Sequence, residues 1–276
     1  MVTGLAQWST IAGLALVAMV RVTAVAAADS AAAIAAFRDG DHGRAVAELR
    51  EPAAAGDPAA QFYLGLAYAQ GWGVIADAAR ARDWYGRAAE AGYAKAQVNL
   101  ALLLLDGEGG EVDAERAQQW LLRAARQGDG HAAHHLGLMY YRGHGVARDF
   151  AAARTWWTSG VERGDAPSAF NLGVLYRRGL GVPRDVGEAL RWWEFAARRG
   201  MPEAQNALGA AYQNGDGRPF DLGEAWAWFR LAAEGGLAVA QINSQLVASR
   251  LDPTAMARAE ERLAALRASL VAPAPP

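Results

Sequence analysis

A leucine followed by a small residue returns every 36 residues along this chain, at Leu64-Gly65, Leu100-Ala101, Leu136-Gly137, Leu172-Gly173 and Leu208-Gly209, with no insertion between copies. A fixed period of this length means that one supersecondary unit is stacked on copies of itself, each burying its apolar face only against its neighbours. The same register carries Tyr68, Leu104, Tyr140, Tyr176 and Tyr212, and a Gly-x-Gly that begins at Gly71 in the first copy and at Gly215 in the fifth. It also carries Asp77, Asp113, Asp149, Asp185 and Asp221, then Trp84, Trp120, Trp156, Trp192 and Trp228, and a closing glycine from Gly92 to Gly236.

Each recurring position has a mechanical reason. Ala60, Leu64 and Tyr68 stand four apart, as do Gln61 and Gly65, which draws one buried stripe on a helix over residues 58–70, here helix A. Asp57, Asp129 and Asp165 suit its N-cap, and Gly71 can take the left-handed conformation that ends it. Gly65 and its counterparts leave room for a partner helix to come close. After the turn, Asp77 and its counterparts cap a helix B whose Ala81, Trp84, Ala88 and Ala89 form a second apolar stripe ending at Gly92. The tryptophans, backed by Tyr85, Leu121, Trp157, Trp193 and Phe229, read as the seam between helices, and Trp156 as a core residue. A Gly-x-Gly that occurs five times between helices, and never after a strand, lacks the setting of a phosphate loop.

Taken together, Ala60-Gln61-Phe62-Tyr63-Leu64-Gly65-Leu66-Ala67-Tyr68 through Gly73-Val74, followed by Asp, Ala, Trp-aromatic, Ala-Ala and Gly, resembles the Sel1-like repeat, a relative of the tetratricopeptide repeat. Phe170-Asn171-Leu172-Gly173-Val174-Leu175-Tyr176 through Gly181-Val182-Pro183-Arg184-Asp185 is a second close match. The resemblance implies an all-α fold, a right-handed superhelical solenoid of antiparallel helix pairs, serving as a protein-interaction scaffold and not as a catalyst. The expected organisation is a signal peptide over 1–28, an incomplete leading repeat over 29–56 and five repeats over 57–236. Capping helices over 237–270, closing the end of the stack, and a disordered tail over 271–276 complete it.

Composition narrows the function further. Absence of cysteine excludes disulfides, thiolate metal sites and cysteine nucleophiles, and a net charge of -2 excludes a strong nucleic-acid field. Lys95 is the only lysine, which rules out a Walker A loop, and no serine sits in a nucleophile elbow. No enzyme, cofactor or metal is therefore expected. His131, His134 and His135 share a helix but bring no carboxylate within the turn, and Asp129 is better placed as a cap. The apolar run Ile11–Val20 is too short to span a bilayer, and Ala24-Val25-Ala26-Ala27-Ala28 fits a cleavage site, so a periplasmic or secreted protein without stable membrane insertion is expected, although Arg21 follows the apolar run instead of preceding it.

Binding should lie on positions that vary between copies. By helical angle these form one helix A face with an apolar floor, which the resemblance implies is the concave lining, and the expected binding residues are Phe62, His134, Leu138, Tyr141, Arg142, Phe170, Arg177 and Arg178. The three arginines would hold a carboxylate at the rim while a peptide or protein segment fills the floor. Two alternatives stand beside the scaffold: an assembly factor for envelope or extracellular polysaccharide, and a hydrolase, for which no catalytic constellation is present. The partner's identity and the oligomeric state are not legible.

Overall fold

The computed structural model describes residues 30–270; the signal-peptide segment and the tail expected over 271–276 lie outside the described residues. Among the described residues every regular element is a helix and no peptide is cis. A first helix, α1, is described over residues 30–38. It is followed by α2 (His42–Ala54), α3 (Pro58–Gln70), α4 (Ala78–Glu90), α5 (Ala94–Asp106) and α6 (Ala114–Arg126) in a unit that ends at Gln127. The second unit begins at Gly128 and holds α7 (Gly130–Arg142), α8 (Phe150–Glu162), α9 (Ala166–Arg178), α10 (Val186–Arg198), α11 (Pro202–Asn214), α12 (Leu222–Glu234), α13 (Ala238–Ala248) and α14 (Pro253–Leu270). Within each unit successive helices pack pairwise in chain order, which makes the fold an all-α solenoid of helix pairs.

The repeated residues do what their spacing suggests. Asp77, Asp113, Asp149, Asp185 and Asp221 each accept a backbone N–H from the first turn of helix B. Their own N–H groups reach back to the carbonyls of Tyr68, Leu104, Tyr140, Tyr176 and Tyr212 at 2.8–3.1 Å, so one residue both starts helix B and closes the loop from helix A. Gly71 ends α3 at φ 72°. The second glycine of the turn serves packing between repeats, since a Cβ on Gly73 or Gly109 would overlap the first-turn backbone of the preceding helix B, at His42 and Ala78. The Gly-x-Gly is thus a stacking joint. Buried Gln61, Gln97 and Gln205 donate to the carbonyls of Ala53, Ala89 and Ala197 at 3.0–3.1 Å, joining helix A to the last turn of the helix B before it.

The seam itself corrects the expectation for Trp156. Helix A's glycine lies under the second aromatic of helix B: a Cβ on Gly65 or Gly209 would come within 2.6 Å of Tyr85 or 2.7 Å of Phe229, and one on Gly137 or Gly173 would overlap the indoles of Trp157 and Trp193. Tyr85, Leu121, Trp157, Trp193 and Phe229 are all buried. Of the first tryptophans, Trp84, Trp156 and Trp192 are only half-buried, because a helix turns about 100° between adjacent residues and only one of a neighbouring pair can face the seam. Where the glycine is replaced, by Ala101, the partner shrinks to Leu121. Gly137→Ala alone should therefore cost about 1–3 kcal/mol by overpacking, whereas Gly137→Ala with Trp157→Leu, which copies the second repeat, should cost less than the sum of the two single changes. A double-mutant cycle by urea denaturation measures this; additivity would mean that the two side chains do not share the seam.

At the C-terminus α14 departs from the earlier pattern. It is capped by Asp252, whose carboxylate accepts from Ala255 N at 2.8 Å, as expected. However, it lies along α12 instead of forming a close hairpin with α13: Leu263 and Leu266 join a core cluster with Trp193 and Trp228. Arg262 pairs with Glu224 at 2.6 Å and Arg267 with Glu234, along the same helix. α14 therefore covers the outside of α12, and the forward face of α13 is not closed by it.

Candidate functional site

The expected binding residues separate by depth. Phe62 lies in the interior of the first unit, 8% exposed, its ring 5.2–5.8 Å from those of Tyr63, Tyr85 and Tyr93, so it is corrected from a lining residue to a core residue. It precedes Gly65 by three, which places it on the seam side of α3. The same arithmetic applies in the second unit. His134 and Phe170 precede Gly137 and Gly173 by three, and their backbone carbonyls accept the indole N–H of Trp157 and Trp193, each at 3.1 Å. Phe170 stacks on Trp193 at 6.2 Å. Tyr141 and Arg177 follow the glycines by four and cover the same indoles, Tyr141 at 5.5 Å from Trp157 and the Arg177 guanidinium 5.8 Å from the Trp193 ring. Arg177 is also paired with Asp216 at 2.8 Å, so it is corrected from a free rim cation to a residue with its own counterion. Leu138 is half-buried against the cluster of Trp157, Leu172 and Leu175.

Arg142 and Arg178 remain on the surface, as the last residues of α7 and α9, with no ion pair to any described residue. Sequence reasoning missed their companions Arg148 and Arg184, both exposed and also without a carboxylate partner among the described residues. The Cβ atoms of Arg148 and Arg184 lie against the C-cap glycines Gly143 and Gly179, 3.3 Å from where a glycine Cβ would stand, so each C-cap is flanked by two arginines. Gly181 of the second loop rests on Phe150, two residues past Arg148, which brings the two loops together. The nearby Asp149 and Asp185 carboxylates are engaged as caps. No other repeat has this chemistry: the counterparts of Arg142 and Arg178 are Gln70, Asp106 and Asn214, and those of Arg148 and Arg184 are Ala76, Val112 and Phe220. That contrast was readable from the register alone.

A buried polar group lies at the opposite end of the same two helices. The Asp165 side chain is 2% exposed, accepts Ser168 N–H at 2.8 Å as the cap of α9, and faces His131 at 3.2 Å and His134 at 3.8 Å. Burial raises its pKa, but hydrogen bonds from His131 and Ser168 outweigh that and hold it below the usual aspartate value. Burial pushes His134 down to about 4 and lowers His135 as well, so both imidazoles are neutral at pH 7. Among the described residues no three His, Asp or Glu side chains converge as a metal-binding group. No helix among them is long and apolar enough to cross a membrane.

Fold and edge define a class, the helical repeat scaffold whose invariant residues build the stack and whose variable residues present a surface. The Sel1 repeat model matches residues 58–93, 94–129, 130–165, 166–201 and 202–237, and the chain belongs to the Sel1 repeat family. Proteins of this family generally act as protein-interaction scaffolds. Among solved structures the chain is similar to a Sel1 repeat protein from Oxalobacter formigenes, at 28% identity and a TM-score of 0.75 over 86% of this chain and 99% of that one. It is also similar to c5321, a protective antigen present in uropathogenic Escherichia coli strains, at 32% identity and a TM-score of 0.67 over 80% of this chain and 48% of that one, so it spans about half that antigen's length. A Sel1 repeat protein from Klebsiella pneumoniae, at 20% identity and a TM-score of 0.50 over 74% of this chain and 99% of that one, shares the fold alone. No curated protein sequence matches the chain.

Proposed function

We propose that the protein is a non-catalytic scaffold that binds an acidic protein segment along the arginine edge of α7 and α9. The observation that carries this reading is the set Arg142, Arg148, Arg178 and Arg184, exposed, without counterions among the described residues and confined to two adjacent repeats. Arginine holds a carboxylate through two parallel hydrogen bonds, and none of the four gives up an ion pair when an acid arrives, although Arg184 already donates to the Arg177 carbonyl and Arg148 lies over the Phe150 ring. Half-buried Leu138 and Val174, one turn before Arg142 and Arg178 on the same helices, offer apolar contact to the side chains beside the acids.

Helix C-termini favour a basic residue even when it is fully solvated, and that reading predicts no binding. Peptides carrying paired acids flanked by leucine, titrated at low and high salt, separate the two. Arg142→Ala with Arg178→Ala should leave helical circular dichroism unchanged and weaken binding by about 2 kcal/mol, with most of the salt dependence lost. Equal affinity in the variant would move the binding surface away from this edge.

The scaffold is further proposed to act outside the cytoplasm, on the strength of the apolar run and small-residue site before Asp29. N-terminal sequencing of protein from cell fractions should begin near Asp29; an intact Met1 end in the cytosol would reverse this. An envelope or polysaccharide assembly role would use the same edge and differ in the partner recovered.

A further inference from the structure

Arg148 and Arg184 stand directly before the caps of α8 and α10, and Phe220 holds the same place before α12. The three side chains leave their loops alike: the Phe220 Cβ lies 3.7 Å from where a Cβ on the C-cap glycine Gly215 would stand, and those of Arg148 and Arg184 lie 3.3 Å from the same point on Gly143 and Gly179. The loops are also stacked in order, since Gly181 rests on Phe150 at the start of α8 and Gly217 on Val186 at the start of α10. Phe220 is 58% exposed, and among the described residues it is the only exposed large apolar side chain of the second unit outside α13.

Beside Phe220 the surface opens into a cleft of about 470 Å³ between the first turn of α12 and α14. Its floor is Leu222 and Leu251, half-buried against the core of Phe229 and Val247. From α14 it meets Ala255 and Ala259, too small to fill the space. Both acids at the rim are engaged, Asp221 as the cap of α12 and Glu224 with Arg262, which leaves Arg258 exposed and without an ion pair to any described residue.

We propose, building on the acidic-segment reading of the arginine edge, that this cleft takes a large apolar side chain of the same segment, so that the partner carries acid, acid and apolar residue in order, one for each of three successive loops. Two observations choose the occupant. Arg148, Arg184 and Phe220 follow one another loop by loop, so a segment laid across the first two is carried to the third. The unpaired charge at the cleft is again a cation, which suits an apolar residue with an acid beside it and repels a basic segment. α7 and α9 pack on each other, so successive loops are roughly 10 Å apart, a span that an extended chain covers in about three residues. The apolar side chain anchors the complex, and the arginines set its register.

The probes are synthetic peptides with two glutamates about three residues apart and, at the same spacing beyond them, phenylalanine in one and alanine in the other, each made also in the reversed order. Wild type should bind the phenylalanine peptide about tenfold tighter than the alanine peptide in one of the two orders. Phe220→Ala, and Ala255→Phe, which fills the cleft, should bind both peptides alike, at the affinity wild type has for the alanine peptide, with unchanged helical circular dichroism. Arg142→Ala with Arg178→Ala should weaken both peptides by the same factor and keep the preference. A wild-type chain that binds both peptides equally overturns the cleft assignment and leaves the arginine edge standing. So does a Phe220→Ala chain that melts earlier but keeps the preference, the result of a role confined to packing on the turn it precedes. Failure of wild type to bind either peptide overturns the acidic-segment reading and the cleft assignment with it.

Discussion

Trp157→Ala lowers the stability of the second unit by roughly 3–5 kcal/mol, while Trp156→Ala, one residue away, costs about 1 kcal/mol. Trp157 is 1% exposed, rests on Gly137, touches Tyr141 and donates its indole N–H to the His134 carbonyl. Its removal opens a cavity that α7 cannot fill, because the facing residue is a glycine with no side chain to move. Trp156 is half-buried and leaves a space that water enters. In a linear array each repeat depends on its neighbours, so hydrogen exchange should show α7, α8 and α9 losing protection while α3 and α4 keep theirs. Urea midpoints of the two variants decide the matter. A loss for Trp156→Ala equal to that for Trp157→Ala would mean that the seam has been assigned to the wrong face of α8.

The contrast between these tryptophans also marks what the sequence could and could not deliver. Helix ends, caps and turns were legible because each is a local rule written in one residue type: Asp before helix B, glycine after helix A, and the boundaries of α3 fell where its first copy placed them. Depth within a helix is not local. The invariant tryptophans drew the core assignment, yet the residue beside them carries the seam and varies in step with helix A: glycine faces Tyr85, Trp157, Trp193 and Phe229, and where Ala101 takes the glycine's register Leu121 takes that of the aromatic. That pairing was present in the chain and is the signal that would have placed it. Tyr141, Phe170 and Arg177, at offsets of three and four from the glycine, are half-buried over the indoles, a depth that helical angle alone did not give. Trp228 is buried through a third cause, the return of α14, which no repeat register contains. Arg148 and Arg184 were overlooked because they stand in the loop, where helical angle assigns no face, although their register differs plainly from that of the other copies.

Stability should fall as the solution is acidified from about pH 6.5 toward pH 4, and His134→Phe should remove much of that fall. The His134 side chain is 14% exposed, and burial, more than the neighbouring His135, holds its pKa near 4 against 6.5 for a free imidazole. Asp165 on α9 pulls the value upward, while His131 and Arg142 on α7 push it down. On its other side α8 contributes the Trp157 indole, which is uncharged. Since the folded pKa is the lower one, the unfolded chain takes up the proton first. The stabilisation is therefore complete above pH 6.5 and is lost as pH falls through 4, amounting to roughly 3 kcal/mol over the full range. His135, also lowered by burial, adds loss of the same sign. Asp165 acts in a separate window, because its lowered carboxylate pKa means that its contribution goes only below the ordinary aspartate value of 3.8. Phenylalanine is the natural replacement, as Phe62 and Phe170 hold the same register in other repeats and the Trp157 bond goes to the backbone, which the change leaves in place. At pH 5 the variant should lose about 2 kcal/mol less than wild type relative to pH 7, read as the difference in urea midpoints. A wild-type chain equally stable at pH 7 and pH 5 would mean that His134 is solvated, and with it that α7 and α9 do not close over Asp165 as described.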